Sequence, residues 1–146
     1  MNAVNTYAST YFLIIDERLS CVCSILGCGD YEELMRYRFQ KSVEANVELD
    51  LNNILNTILL TTLQKYDPIH SVHKFGHRPV LLLNGGSDLL VPVQCNQRFF
   101  DSMAQICRPK EKFIWIVEKD ARHELTSTMK AQCKEWIQQY INKDRS

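Results

Sequence analysis

The chain has 146 residues, 45% of them hydrophobic and 23% charged, which is enough for one domain with a hydrophobic core and too apolar for a disordered segment. Seventeen Lys and Arg balance seventeen Asp and Glu, which excludes a nucleic-acid or anionic-membrane binder that draws its affinity from charge. No apolar stretch approaches the roughly 20 residues of a membrane span, and MNAVNTYAST has neither the basic region nor the apolar block of a secretion signal, so a cytoplasmic protein is expected.

In chain order, Ala3, Val4, Tyr7, Ala8, Tyr11 and Phe12 recur at helical spacing and predict a helix over 3–15. LSCVCSIL, from Leu19 to Leu26, is uncharged and closed by Gly27-Cys28-Gly29, which predicts a short buried strand. Strand alternation puts Cys21 and Cys23 on one face, as packing residues. Asp30 can cap a helix over 31–40, with Glu32 and Glu33 in the first turn to favour its dipole. Val47, Leu51, Ile54, Leu55, Ile58 and Leu59 predict more helix within 44–66, stopped by Asp67-Pro68. A loop follows, with His70 and His73 on its surface.

Pro79 to Asn84 (PVLLLN) reads as a second buried strand, with Asn84 bonded inside the following turn. Gln94 to Ile106 reads as a helix with Phe99, Phe100 and Met103 inward, and Phe113 to Val117 (FIWIV) as a third strand. A final amphipathic helix over 126–142 carries Met129, Cys133, Trp136, Ile137, Tyr140 and Ile141 on one stripe. Glu124 is placed to cap it, and Trp115 and Trp136 are expected in the core. Strands alternating with helices predict an α/β fold with a parallel sheet.

The six cysteines, at 21, 23, 28, 95, 107 and 133, form no CxxC pair, and there is no His-x-His pair. Reduced, packed thiols are expected, with no metal and no cofactor. Chemistry is more plausible in the loops after strands, where parallel-sheet proteins keep their sites. LLLNGGSDLLVP puts Asp88 behind the second strand, and EKDARHELT puts His123 behind the third. Spacing alone leaves two readings open. In one, the two side chains meet as the orienting half of a triad. In the other, Asp88 caps the next helix and His123 is a solvated loop residue.

RPVLLLNGGSDLLVPV resembles the acid-bearing segment of the α/β-hydrolases, a strand followed by H/N-G-x-x-D-x-x-V-P. KFIWIVEKDARHELT resembles their last strand and histidine loop, DPIHSVHKFGHRP the approach to the acid strand in the esterase and prolyl-oligopeptidase-like branch, and LSCVCSILGCGDYEEL the strand that leads into a helical cap. The resemblance implies Asp88 as triad acid, His123 as triad base, and a single domain over 1–146 with a cap-like insertion at about 31–66.

The family's serine sits in a G-x-S-x-G elbow ahead of the acid. The glycines here are at 27, 29, 76, 85 and 86, no two of them four apart, so these residues contain no elbow. The helix over 3–15 resembles the one that follows the elbow, so the chain resembles the C-terminal half of a serine hydrolase. Such a half is expected to be inactive alone, and to act on a small ester, thioester or peptide only when completed by a nucleophile. A non-catalytic binding or assembly module on the same scaffold is the alternative. Cys28, between two glycines and ahead of Asp88 and His123, is a less favoured candidate nucleophile. The uncharged edge of the strand at 19–26 predicts marginal stability or a homodimer.

Overall fold

Apolar residues on alternate sides of three consecutive strands determine the architecture. The computed structural model describes residues 16, 18, 19, 21–44, 60–107 and 112–141. Strands β1 (Val22–Ile25), β2 (Val80–Gly85) and β3 (Phe113–Glu118) pair in parallel in the order β1-β2-β3. Helix α1 (Tyr31–Glu44), helix α2 (Leu60–Tyr66) and a 3-10 segment (Pro68–Phe75) lie between β1 and β2. Helix α3 (Gln94–Ile106) joins β2 to β3, and α4 (Ser127–Ile141) follows β3. The fold is the α/β parallel arrangement that the alternation predicted.

The register aligns Val22, Val80 and Phe113 across the sheet, and Ser24, Leu82 and Trp115 two residues on. Val80, Leu82 and Phe113 pack on one face against Phe75, Phe99, Met103 and Cys107, with Val22 and Trp115 beside them. The rings of Phe75, Phe99 and Phe113 meet edge to face, at centroid distances of 5.7 and 6.3 Å, a geometry the ring quadrupoles favour. Leu81 and Leu83 point the other way, to Met129 and Trp136 of α4, with Cys23, Ile25, Cys133 and Ile137 alongside. Every residue of β2 is buried because helices cover both faces of the sheet.

The element bounds differ from the sequence reading for local reasons. β1 is shorter than 19–26: Leu19 N–H bonds back to the Asp16 carbonyl, and Leu26 adopts φ 57°. That left-handed conformation costs a bulky residue about 1 kcal/mol. It ends the strand while keeping Leu26 in the core with Leu81 and Leu83. α1 runs past 40 to Glu44, and Pro68–Phe75 is a 3-10 segment where a loop was expected. Its His70 and His73 are exposed, as read. The helix expected over 3–15, and most of that expected within 44–66, lie outside the described residues.

Two buried carboxylates tie α1 down. Asp30 accepts from Glu33 N–H (3.1 Å), the cap read from the sequence, and also takes both arms of the Arg98 guanidinium from α3. Asp67, read only as a helix stop, accepts from the N–H groups of Tyr31 (3.0 Å) and Glu32 (2.9 Å). These are first-turn donors that no helical carbonyl can serve. Burial pushes the Asp67 carboxyl above its ordinary range, against the pull of those donors. Thr126 rather than Glu124 caps α4: its hydroxyl accepts from Met129 N–H (3.1 Å), while Glu124 accepts from Arg122 N–H (3.4 Å). The cap position requires a short hydroxyl at the boundary, and Glu124 lies two residues too early.

Candidate active site

The loops that follow β2 and β3 are joined main chain to main chain. Gly86 N–H donates to the Glu118 carbonyl (2.8 Å) and Ser87 N–H to the Ala121 carbonyl (2.9 Å). The Ser87 hydroxyl adds a bond to the Lys119 carbonyl (3.3 Å). So close an approach leaves no room for side chains. A Cβ on Gly85 would lie 2.4 Å from both the Ala121 and Arg122 carbonyl oxygens, and one on Gly86 2.5 Å from that of Lys119. The glycine pair is what allows the acid loop to lie against the histidine loop.

At this junction Asp88 and His123 meet. Asp88 Oδ2 is 2.8 Å from His123 Nδ1, with the Asp88 side chain fully buried and that of His123 28% exposed. Asp88 Oδ1 accepts from the N–H groups of Leu90 (2.8 Å) and Val91 (3.0 Å). The two sequence readings of Asp88 are thus compatible: one oxygen closes its own turn, and the other faces the imidazole. A carboxylate offers only acceptors, so this contact places the neutral imidazole's proton on Nδ1 and leaves Nε2 as the acceptor.

Asn84 does not stay within its turn. Its side-chain amide donates to the Gly27 carbonyl (3.1 Å) and accepts from the Trp115 indole N–H (3.0 Å). Asn96 of α3 donates to the same Gly27 carbonyl (2.9 Å). The turn after β1 is thereby fixed to β2 and α3, beneath the acid loop.

Cys28 lies in that turn, 1% exposed. Its thiol bonds to the carbonyls of Asp30 (3.1 Å) and Cys95 (3.7 Å), and burial pushes its pKa far up. Such surroundings keep a thiol protonated and packed, the opposite of what nucleophilic attack needs. Cys21 and Cys23 pack beside α4, as read. Among the described residues no group of three or more His, Cys, Asp or Glu could hold a metal ion.

Relatives share this arrangement of strands and helices. TT1662 from Thermus thermophilus superposes with a TM-score of 0.69 at 18% identity, over 92% of this chain and 50% of that one. A Pyrococcus horikoshii acylaminoacyl peptidase gives 0.62 at 16% identity, over 85% of this chain and 19% of the peptidase. The Pyrococcus furiosus esterase Pf2001 gives 0.54 at 14% identity, over 90% and 46%. The chain has the α/β-hydrolase fold, in part. In sequence it is 23% identical over 119 residues to "Putative esterase YitV" of Bacillus subtilis (strain 168), covering 81% of this chain. It spans about half, 47%, of that relative's length. No protein-family model matches it. Among the described residues no helix is long and apolar enough to cross a membrane.

The residues that sequence reasoning missed act through distance. Gly85, Gly86, Ser87 and Glu118 set how the two loops meet, and the sequence marks them only by the paired glycines and by their position beside the dyad.

Proposed function

We propose that the chain is the acid- and histidine-bearing part of a serine-hydrolase-type esterase or peptidase, whose serine lies outside these 146 residues. The observation that supports this most is the 2.8 Å contact between the buried Asp88 and the partly exposed His123. In this reading Asp88 holds the tautomer with Nε2 free. His123 Nε2 takes the serine proton as the hydroxyl attacks the carbonyl carbon, and Asp88 stabilises the resulting imidazolium. The imidazolium then protonates the departing alkoxide or amine. The same histidine activates water to release the acyl group.

Residues 31–66 serve as the cap-like insertion in this account. Its helix α1 touches the acid loop, with Arg38 donating to the Leu90 carbonyl (3.3 Å) and Leu34 packed with Val91. Substrates in this reading are small esters, thioesters or peptides. The outer edge of β1 has no strand partner among the described residues, and a homodimer through it is tested by size-exclusion chromatography with light scattering across concentration.

The functional test is hydrolysis of p-nitrophenyl acetate and butyrate by the purified chain beside His123→Ala and Cys28→Ala. The expected result is no turnover above the variants. Turnover lost in Cys28→Ala would assign the nucleophile to Cys28 and overturn the reading. A binding or assembly module, the second reading, is supported by the absence of any G-x-S-x-G in these residues.

A further inference from the structure

One residue beside the dyad bonds to both loops and to the helix behind them. The Glu118 carbonyl, at the end of β3, accepts from Gly86 N–H (2.8 Å) of the acid loop and from Ala121 N–H (3.1 Å) of the histidine loop. Its side-chain Oε2 accepts from the Thr126 hydroxyl (2.6 Å), and Thr126 caps α4 through Met129 N–H. The segment 119–126, which carries His123, is therefore closed at its neck by a side-chain bond from the last residue of β3 to the cap of α4. Glu118 also lies opposite Gly85 in the register, at the point of closest approach of the loops.

We propose that Glu118, through Thr126, is a positioning residue for His123, setting the imidazole against Asp88. The proposal rests on the dyad reading and goes beyond it, since Glu118 and Thr126 bond to each other and to the main chain rather than to the imidazole, and neither touches the substrate in the mechanism above. The short contact has the geometry of a charge-assisted hydroxyl–carboxylate bond, the stronger kind. It spans a loop that would otherwise be fixed at its ends and at the junction with Ser87. A loosened neck frees the His123 backbone to drift, and a displacement of about 1 Å suffices to carry a 2.8 Å contact out of hydrogen-bond range.

The test follows the imidazole itself, which a purely structural residue would leave unmoved. His123 is labelled with 15N in the whole chain, and the Nδ1–H and Nε2–H tautomers are read from the ring-nitrogen shifts at a pH where the ring is neutral. The wild type is expected to show the Nδ1–H tautomer with a low-field Nδ1 proton, and Asp88→Asn to lose both. Glu118→Ala and Thr126→Val are expected to shift the ring toward a tautomer mixture and to lose the low-field proton. Glu118→Gln and Thr126→Ser, which keep an acceptor and a hydroxyl, restore the wild-type pattern. The double variant is expected to do no more than either single one. A wild-type pattern in both Glu118→Ala and Thr126→Val, with Asp88→Asn altered, would overturn the positioning role and leave the dyad standing. A wild-type ring insensitive to Asp88→Asn would overturn the dyad, and the role of Glu118 with it.

Discussion

Gly85→Ala separates the dyad without altering either of its members. Gly85 does not adopt a left-handed φ, so alanine is acceptable to the backbone and only the space forbids it. Its Cβ would stand 2.4 Å from two carbonyl oxygens, whereas ordinary contact begins at 3.4 Å. The loops must part by about 1 Å, which carries the 2.8 Å contact between Asp88 and His123 beyond hydrogen-bond range. Overpacking and the lost charged bond together cost about 3 kcal/mol. The assay pairs urea unfolding, expected to show a clearly lower midpoint at unchanged slope, with the His123 ring-nitrogen spectrum, expected to lose the Nδ1–H signature. A variant as stable as wild type with that signature intact would refute the close-approach argument.

Three further outcomes are expected. Native chain treated with iodoacetamide at neutral pH should leave Cys28 and Cys95 unmodified until urea is added, because burial pushes both thiols up, Cys95 to about 12; peptide mass spectrometry reads the order, and early labelling of Cys28 would contradict it. Arg98→Met leaves the fully buried Asp30 side chain without its partner, at a cost of about 2 kcal/mol that Asp30→Asn in the same chain should partly restore, measured by denaturant titration. Asp67 has a folded-state pKa raised above 3.8, so its contribution is fully present below that value and is lost as pH rises through the elevated one. Relative to Asp67→Asn, the wild type should therefore lose stability as pH rises from below 3.8 through the raised value, and a gap that widens in its favour would refute the buried-acid reading.

The sequence makes the layers legible because alternation and helical spacing are local signals. β2 reads from PVLLLN to within one residue at each end, and α3 from its first residue to its last. Asp88 and His123 are legible as loop residues behind parallel strands, and their meeting is a consequence of the strand order β1-β2-β3. What stays hidden depends on approach between distant segments. Asp67 caps a helix that begins 36 residues earlier, and nothing in Asp67-Pro68 beyond a stop signal announces it. The left-handed Leu26 follows from where Leu81 and Leu83 sit, which no propensity of leucine encodes. The clamp from Glu118 to Thr126 spans eight residues, yet it exists only because β3 ends and α4 begins at that separation in space.

The central claim is that Asp88 and His123 serve a serine carried outside these residues. It is tested most directly on the native polypeptide, isolated through a tag added at the C-terminus of its chromosomal locus. Hydrolysis of p-nitrophenyl butyrate is measured together with labelling by a fluorophosphonate, for wild type, Asp88→Asn and His123→Ala. The account predicts turnover and a labelled serine in the isolated material, with turnover reduced about 10³-fold or more in His123→Ala. Equal turnover in wild type and His123→Ala, or a labelled serine that is indifferent to both variants, would contradict it.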